Sequence, residues 1–258
     1  MMPPPAPPAQ ARHRLATLDK MADLLRAFTP ERPAWRLHEI ATFLAWDRAT
    51  TLRFLEKLVE LTFLERDEHG VYRHGRLIPE LGALYLGASP ARQRLVRMVE
   101  RVHARTGLTT QVGYLDRSAV VIALSEEGTT LVKVAASPGA RLPVYATAIG
   151  KVILAQLEDA AASAVLPARL EALTPNTIRS RRALRAEIDA VRASGSAHAR
   201  AELAEGLDAC AVPIPASLFG APAGLGCAGP SVAVEGARAE VVAALQDAAA
   251  ELRALSGR

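Results

Sequence analysis

The sequence predicts an α+β chain of two domains. Three observations carry the prediction. Helix patterns followed by a hairpin pattern fill the first 76 residues. A Gly-Ala-Ser-Pro-Ala break follows at 87–91. Beyond it, apolar strand runs are grouped together, with amphipathic helices at the edges.

The chain has 258 residues, in the range of one or two domains. Half of them are apolar but only 4% are aromatic, so the core must be mostly Ala, Val and Leu. A net charge of +4 permits an anionic partner without demanding one. Residues 1–87 hold 12 Lys+Arg against 11 Asp+Glu, so any basic surface there must come from arrangement. No apolar run approaches the ~18 residues that would span a bilayer. The start "MMPPPAPPAQARHR" lacks the apolar centre of a signal peptide. A cytoplasmic protein with no membrane partner is expected, and the prolines predict a disordered arm over 1–13. Cys210 and Cys227 sit in no Cys/His cluster. They read as small core residues in a reducing compartment, with no metal site or cofactor expected.

The elements follow in order. Leu18, Met21, Leu25 and Phe28 share one face of a helix over 14–28, which Thr29-Pro30 stops. "RLHEIATFLA" predicts a helix over 36–45, with Leu37, Ile40, Ala41 and Leu44 inward. Asp47 can cap a third helix that runs to about Leu61, because its carboxylate accepts orphan N–H bonds. Residues 62–66 and 71–73 predict strands around a turn at 67–70, where Gly70 supplies the bend. Helix, helix, short turn, helix, hairpin is the order of a winged helix-turn-helix, here residues 14–76, with the hairpin as the wing. A linker helix is predicted over 77–87. The second domain, 88–258, opens with a helix over 92–106. Strands are predicted over 108–115, 118–124, 129–136, 208–215 and 223–229. A helix begins near Ile149, and a charged helix covers 180–194. In the last helix Val241, Leu245, Ala248, Leu252 and Leu255 share a face.

On a helical wheel over 47–61, Thr51, Phe54, Leu55 and Leu58 turn to the core. Ala49, Leu52, Arg53 and Glu56 share another face, flanked by Arg48, Thr50 and Lys57. A helix that enters the major groove of double-stranded DNA needs this division. Arg53 is the candidate for base readout, since its fork can donate two bonds to guanine O6 and N7. Arg48, Thr50, Thr51 and Lys57 complete the candidate set on this helix. Arg66 and Arg73, with His74 and Arg76, would follow the phosphate backbone from the wing, and His69 at its tip would enter the minor groove. Glu56 and Glu60 dilute the charge, and a plain solvated helix has the same pattern.

"LHEIATFLAWDRATTLRFLEKLVELTFLERD" followed by "GVYRHG" resembles the N-terminal domain of the IclR family of bacterial transcription regulators. "RLPVYATAIGKVILA" (141–155), "LTPNTIRSRRALRAEIDAVRASG" (173–195), "AELAEGLDACAVPI" and "LGCAGP" resemble later motifs of that family. The resemblance implies a winged DNA-binding domain, a linker helix and a GAF-like effector-binding domain. It implies a homodimer or dimer of dimers on a partly palindromic operator, controlled by a small-molecule effector.

The family often has a Ser-Thr pair, with His and Arg two and three residues after the Thr. Here the positions read Ala49-Thr50 and Leu52-Arg53, so no operator sequence carries over. Family pocket positions correspond to Leu131, Val134, Ala148, Ile149, Ala199, Ala209, Gly226 and Ala228. The last four are often Asp, Cys, Ser and Ser in relatives that bind small polar acids. Their replacement by Ala, Ala, Gly and Ala predicts more room and a more apolar ligand, such as a hydrophobic or aromatic carboxylate; the alternative is that these small residues only pack tightly and leave no usable pocket. The backbone N–H groups at 148–150, Gly150 included, open a helix and could hold the carboxylate, and Arg200 is a second candidate to pair with it. "AIGKV" lacks two residues of a Walker A loop, and no HExxH, GxSxG or Cys–His spacing occurs, so no catalytic residue is predicted. Two other functions fit the same chain: a DNA-binding protein without a ligand, and a small-molecule hydrolase on the sensor-like domain.

Overall fold

The computed structural model describes residues 16–87, 89–129 and 137–256. The arm expected over 1–13 and nearly all of the strand expected over 129–136 fall outside them. The chain forms two compact units that divide between Leu81 and Gly82.

In the first unit the helices are α1 (Ala16–Arg26), α2 (Leu37–Leu44) and α3 (Arg48–Glu60). The strands are β1 (Trp35–Arg36), β2 (Leu64–Arg66) and β3 (Val71–His74), paired antiparallel in the order β1-β3-β2. Leu24, Ile40, Leu55, Leu58, Trp35 and Tyr72 close the core. Trp35 Nε1 donates to Ala27 O at 2.9 Å, so the indole is buried without an orphan donor. β1 was not foreseen, because two residues are too few to display an alternating pattern. α4 (Leu77–Gly87) follows and buries none of its residues.

The turn between α2 and α3 holds Ala45 at φ 53°, in the left-handed region. That costs an L-residue about 1–2 kcal/mol, partly offset in glycine by its greater freedom when unfolded. Ala45→Gly is therefore expected to stabilise the first unit by about 0.5–1 kcal/mol. A urea melt followed by tryptophan fluorescence reads this unit alone, since the chain's two tryptophans, Trp35 and Trp46, both lie in it. A midpoint that falls would contradict the strain argument.

The second unit is built on a six-stranded antiparallel sheet. Its strands are β4 (Thr109–Asp116), β5 (Ala119–Glu126), β6 (Arg141–Pro143), β7 (Ala197–Arg200), β8 (Leu207–Ile214) and β9 (Ala223–Pro230). Their spatial order is β6-β5-β4-β9-β8-β7. The helices are α5 (Pro90–Thr106), α6 (Ala148–Ala155), α7 (Asp159–Val165), α8 (Arg181–Ser194), α9 (Ser231–Gly236) and α10 (Arg238–Ser256). The short β6, α7, β7 and α9 were not expected.

Strand alternation gives the sheet two faces. Ala197, Ala199 and Ala211 pack with α6 and α8. Cys210, Val212, Leu225 and Cys227 pack with α5 and α10. In α10, Val241, Leu245, Ala248 and Leu252 are buried as expected, while the Leu255 side chain lies outside the described residues. Cys210 and Cys227 are free, buried and directly opposite each other. Burial pushes both thiols up, Cys210 to about 11. Close approach of α6 to its surroundings requires glycine. A Cβ on Gly150 would lie 2.0 Å from Val144 O, and one on Gly224 would lie 2.7 Å from Val152 Cγ2. Among the described residues no helix is long and apolar enough to cross a membrane.

Candidate functional site

The first candidate surface is the outer face of α3. Asp47 caps the helix, its Oδ1 accepting from Thr50 N–H at 2.8 Å, and that bond holds its carboxyl below the ordinary value. Arg48, Ala49, Arg53, Glu56 and Lys57 are exposed, and Thr50 is half-buried. Lys57 is ion-paired with Glu60 at 2.6 Å. Thr51 does not belong to this surface. It is fully buried, and its hydroxyl donates to Asp47 O at 2.8 Å, as its place on the core stripe of the wheel requires.

The wing is organised by Asp67. Its carboxylate accepts from the N–H groups of His69 and Val71 and from Arg73 Nη1 at 2.7 Å. These donors hold its pKa at about 2, the Arg73 bond contributing most. Arg73 therefore serves the turn first and shares its charge with a carboxylate. His69 is exposed at the tip beside Glu68. The Arg66 guanidinium lies over the Tyr72 ring. His74 packs its ring on Phe28 at 5.1 Å between centroids, and burial pushes its pKa down. Arg36 was missed. Its Nη1 donates to His69 O at 3.0 Å and ties the wing tip to the start of α2. Two-residue β1, which carries it, gave no signal.

The second candidate site is a cavity between the first turn of α6 and the alanine face of the sheet. Ala148, Ile149, Ala199, Ala209, Gly226 and Ala228 line it. Gly150 lies on the same turn but packs against Val144. Leu131 and Val134 lie outside the described residues. Sequence reasoning missed Leu203 and Leu207, although two leucines in the otherwise polar run "ELAEGLD" were a signal. The cavity volume is about 50 Å³. A water needs roughly 10–15 Å³, and a cavity of about 150 Å³ takes benzene. A Cβ on Gly226 would lie 3.0 Å from Ile149 Cγ1, so Ile149 already occupies the space that a serine would have used.

Arg200 is also corrected. It follows Ala199 on β7 and so projects to the opposite face. There its Nε donates to His198 Nδ1 at 3.1 Å, and His198 Nε2 meets Asp208 Oδ2 at 3.1 Å. The cavity's described polar groups are few. Thr147 caps α6, its Oγ1 accepting from Gly150 N–H at 3.0 Å. The first helical bond is Lys151 N–H to Thr147 O, which leaves the N–H groups of Ala148 and Ile149 in the unbonded first turn. Gln111 Nε2 donates to Ser125 Oγ at 3.3 Å.

Beside the cavity, Lys151 is buried with its ammonium fully engaged. It donates to Glu202 Oε1 at 2.6 Å, Glu187 Oε1 at 3.1 Å and His198 O at 3.2 Å. Glu202 Oε2 is buried without a hydrogen-bond partner among the described residues. Thr174 Oγ1 donates to Ala201 O at 2.6 Å, and Thr177 Oγ1 donates to Glu202 O at 2.7 Å. The strap that carries Leu203 is thereby anchored to α6 and to the 174–177 turn.

Comparison with known proteins gives these two sites a context. Residues 17–68 match the IclR helix-turn-helix domain, and residues 83–254 match the bacterial transcriptional regulator IclR C-terminal domain. The HTH-type transcriptional regulator XynR of Escherichia coli is 29% identical over 78% of this chain and 80% of its own length. The Pca regulon regulatory protein of Pseudomonas putida is 30% identical over 78% and 69%. The p-hydroxybenzoate hydroxylase transcriptional activator of Acinetobacter baylyi is 29% identical over 78% and 76%. Among solved structures, an IclR transcriptional regulator from Alicyclobacillus acidocaldarius superposes with a TM-score of 0.85 at 28% identity, covering 94% of this chain and 99% of that one. An IclR homolog from Microbacterium hydrocarbonoxydans, complexed with 4-hydroxybenzoate, gives 0.77 at 27%, covering 92% and 97%. The chain belongs to the IclR family of bacterial transcription regulators, with a helix-turn-helix DNA-binding domain followed by an IclR effector domain.

Proposed function

We propose that the protein is a ligand-responsive regulator that reads a partly palindromic operator through Arg53 and answers to an apolar carboxylate of the aromatic class. The observation that carries the ligand reading is the cavity itself. Ala199, Ala209, Gly226 and Ala228 line it, and Arg200 turns away from it. A carboxylate there would rest on the N–H groups that open α6, with the rest of the molecule against alanine and leucine. Two relatives named for the Pca regulon and for p-hydroxybenzoate hydroxylase support this class, as does the neighbour complexed with 4-hydroxybenzoate.

Pairing of two copies would make the second half-site contact intramolecular and raise affinity without new contacts. Exposed Leu81, Leu84 and Tyr85 on α4 support self-association. The test is a gel-shift titration on DNA upstream of the protein's own gene and its neighbours, against random duplex at two salt concentrations. Specific binding that 4-hydroxybenzoate shifts, and acetate does not, is the expected result. Competition by random duplex at equal strength would overturn the operator reading. A stronger response to acetate would overturn the effector class.

Arg53→Ala is expected to weaken specific binding by about 1–3 kcal/mol and to relax base preference at one position, while random-duplex affinity changes little. Equal losses on both duplexes would remove Arg53 from base readout.

A further inference from the structure

We infer that the Leu203 side chain sets the size of the cavity and so selects which acids the effector domain accepts. The inference rests on the reading of this cavity as the effector site. About 50 Å³ is a third of an apolar cavity of about 150 Å³ that takes benzene, so a ring can enter only if a wall yields. The alanines and Gly226 have no side chain to withdraw. Ile149 is wedged over Gly113, Gly224 and Gly226, whose added Cβ atoms would stand 3.0–3.3 Å from it. Leu142 packs against the core of this face, and Leu207 stands on β8 opposite Pro230; both are half-buried, as Leu203 is, but both belong to the sheet. Of the bulky described wall side chains, Leu203 alone belongs to neither the sheet nor α6.

The backbone under Leu203 is not free to swing. The carbonyls of Ala201 and Glu202 are held by Thr174 and Thr177, Glu202 is held by Lys151, and Gly206 O accepts from Ser231 N–H at 2.8 Å. Room must therefore come from the side chain, which is only half-buried and can turn about its own bonds. The clamp acts as a mount that presents one leucine to the cavity, and the identity of that residue decides the largest ligand admitted.

The experiment compares wild type, Leu203→Ala and Leu203→Phe by calorimetry with acetate, benzoate and 4-hydroxybenzoate. Leu203→Ala is expected to bind the ring acids at least about tenfold more tightly relative to acetate, and Leu203→Phe at least about tenfold more weakly. An unchanged ratio of ring acid to acetate in both variants overturns the inference. A second measurement needs no effector chemistry: xenon uptake read by xenon NMR, which rises where an apolar cavity grows. Xenon uptake that Leu203→Ala leaves unchanged overturns the inference whatever the acids do. Raised uptake with no acid bound by any form supports Leu203 as the limit of the cavity and removes the effector reading instead.

Discussion

Lys151→Ala lowers the stability of the C-terminal unit by about 3–5 kcal/mol, the range for breaking a buried ion pair by removing one partner. The ammonium is 1% exposed, so water does not already compensate it. Its removal leaves the Glu202 carboxylate buried, with Oε1 stripped of its ammonium and Oε2 already unpartnered. Far-UV ellipticity in a urea melt reads the change, because tryptophan fluorescence reports only on the other unit. The double variant Lys151→Met with Glu202→Leu separates charge from packing. It is expected within about 1.5 kcal/mol of wild type, since an apolar pair of similar volume carries no desolvation cost. A single variant that loses less than about 1 kcal/mol would mean that the carboxylate finds water and that the burial argument fails.

Gly150→Ala is expected to cost about 3 kcal/mol, at the upper end of overpacking. Helix propensity alone points the other way, since alanine gains up to about 1 kcal/mol over glycine inside a helix. The deciding fact is the 2.0 Å between an added Cβ and Val144 O, a backbone atom that cannot turn aside. Gly82 in α4 is the internal control, because an added Cβ there meets nothing within 4 Å. Gly82→Ala should raise stability while Gly150→Ala lowers it, each read as a shift in urea midpoint with unchanged slope. Stabilisation by both would mean that the loop around Val144 yields freely, and that α6 is not held against it.

The sequence carried the long elements well, and physics explains which parts it did not carry. α3 was legible because thirteen residues display a full apolar stripe and Asp47 marks its start. The same wheel that turned Thr51 inward excluded it from the DNA face, so its inclusion there conflicted with its own periodicity. β7 was illegible at four residues, and with it the rule that Ala199 and Arg200 must face opposite ways. The size of the cavity was beyond the sequence for another reason. Small residues leave space only if nothing larger leans in, and Ile149 and Leu203 do so from other elements.

The sheet's alternation has a consequence for signalling. Ala209, Cys210, Cys227 and Ala228 all line the cavity, and the two cysteines also pack in the α5–α10 layer. The cavity wall and the helix packing thus share the same two strands. A ligand that displaced β8 or β9 would also move the surface on which α5 and α10 pack. By reciprocity, anything that shifts those helices changes ligand affinity by the same free energy with which the ligand shifts them. A substitution at 210 or 227 would therefore alter the cavity wall and the helix packing together.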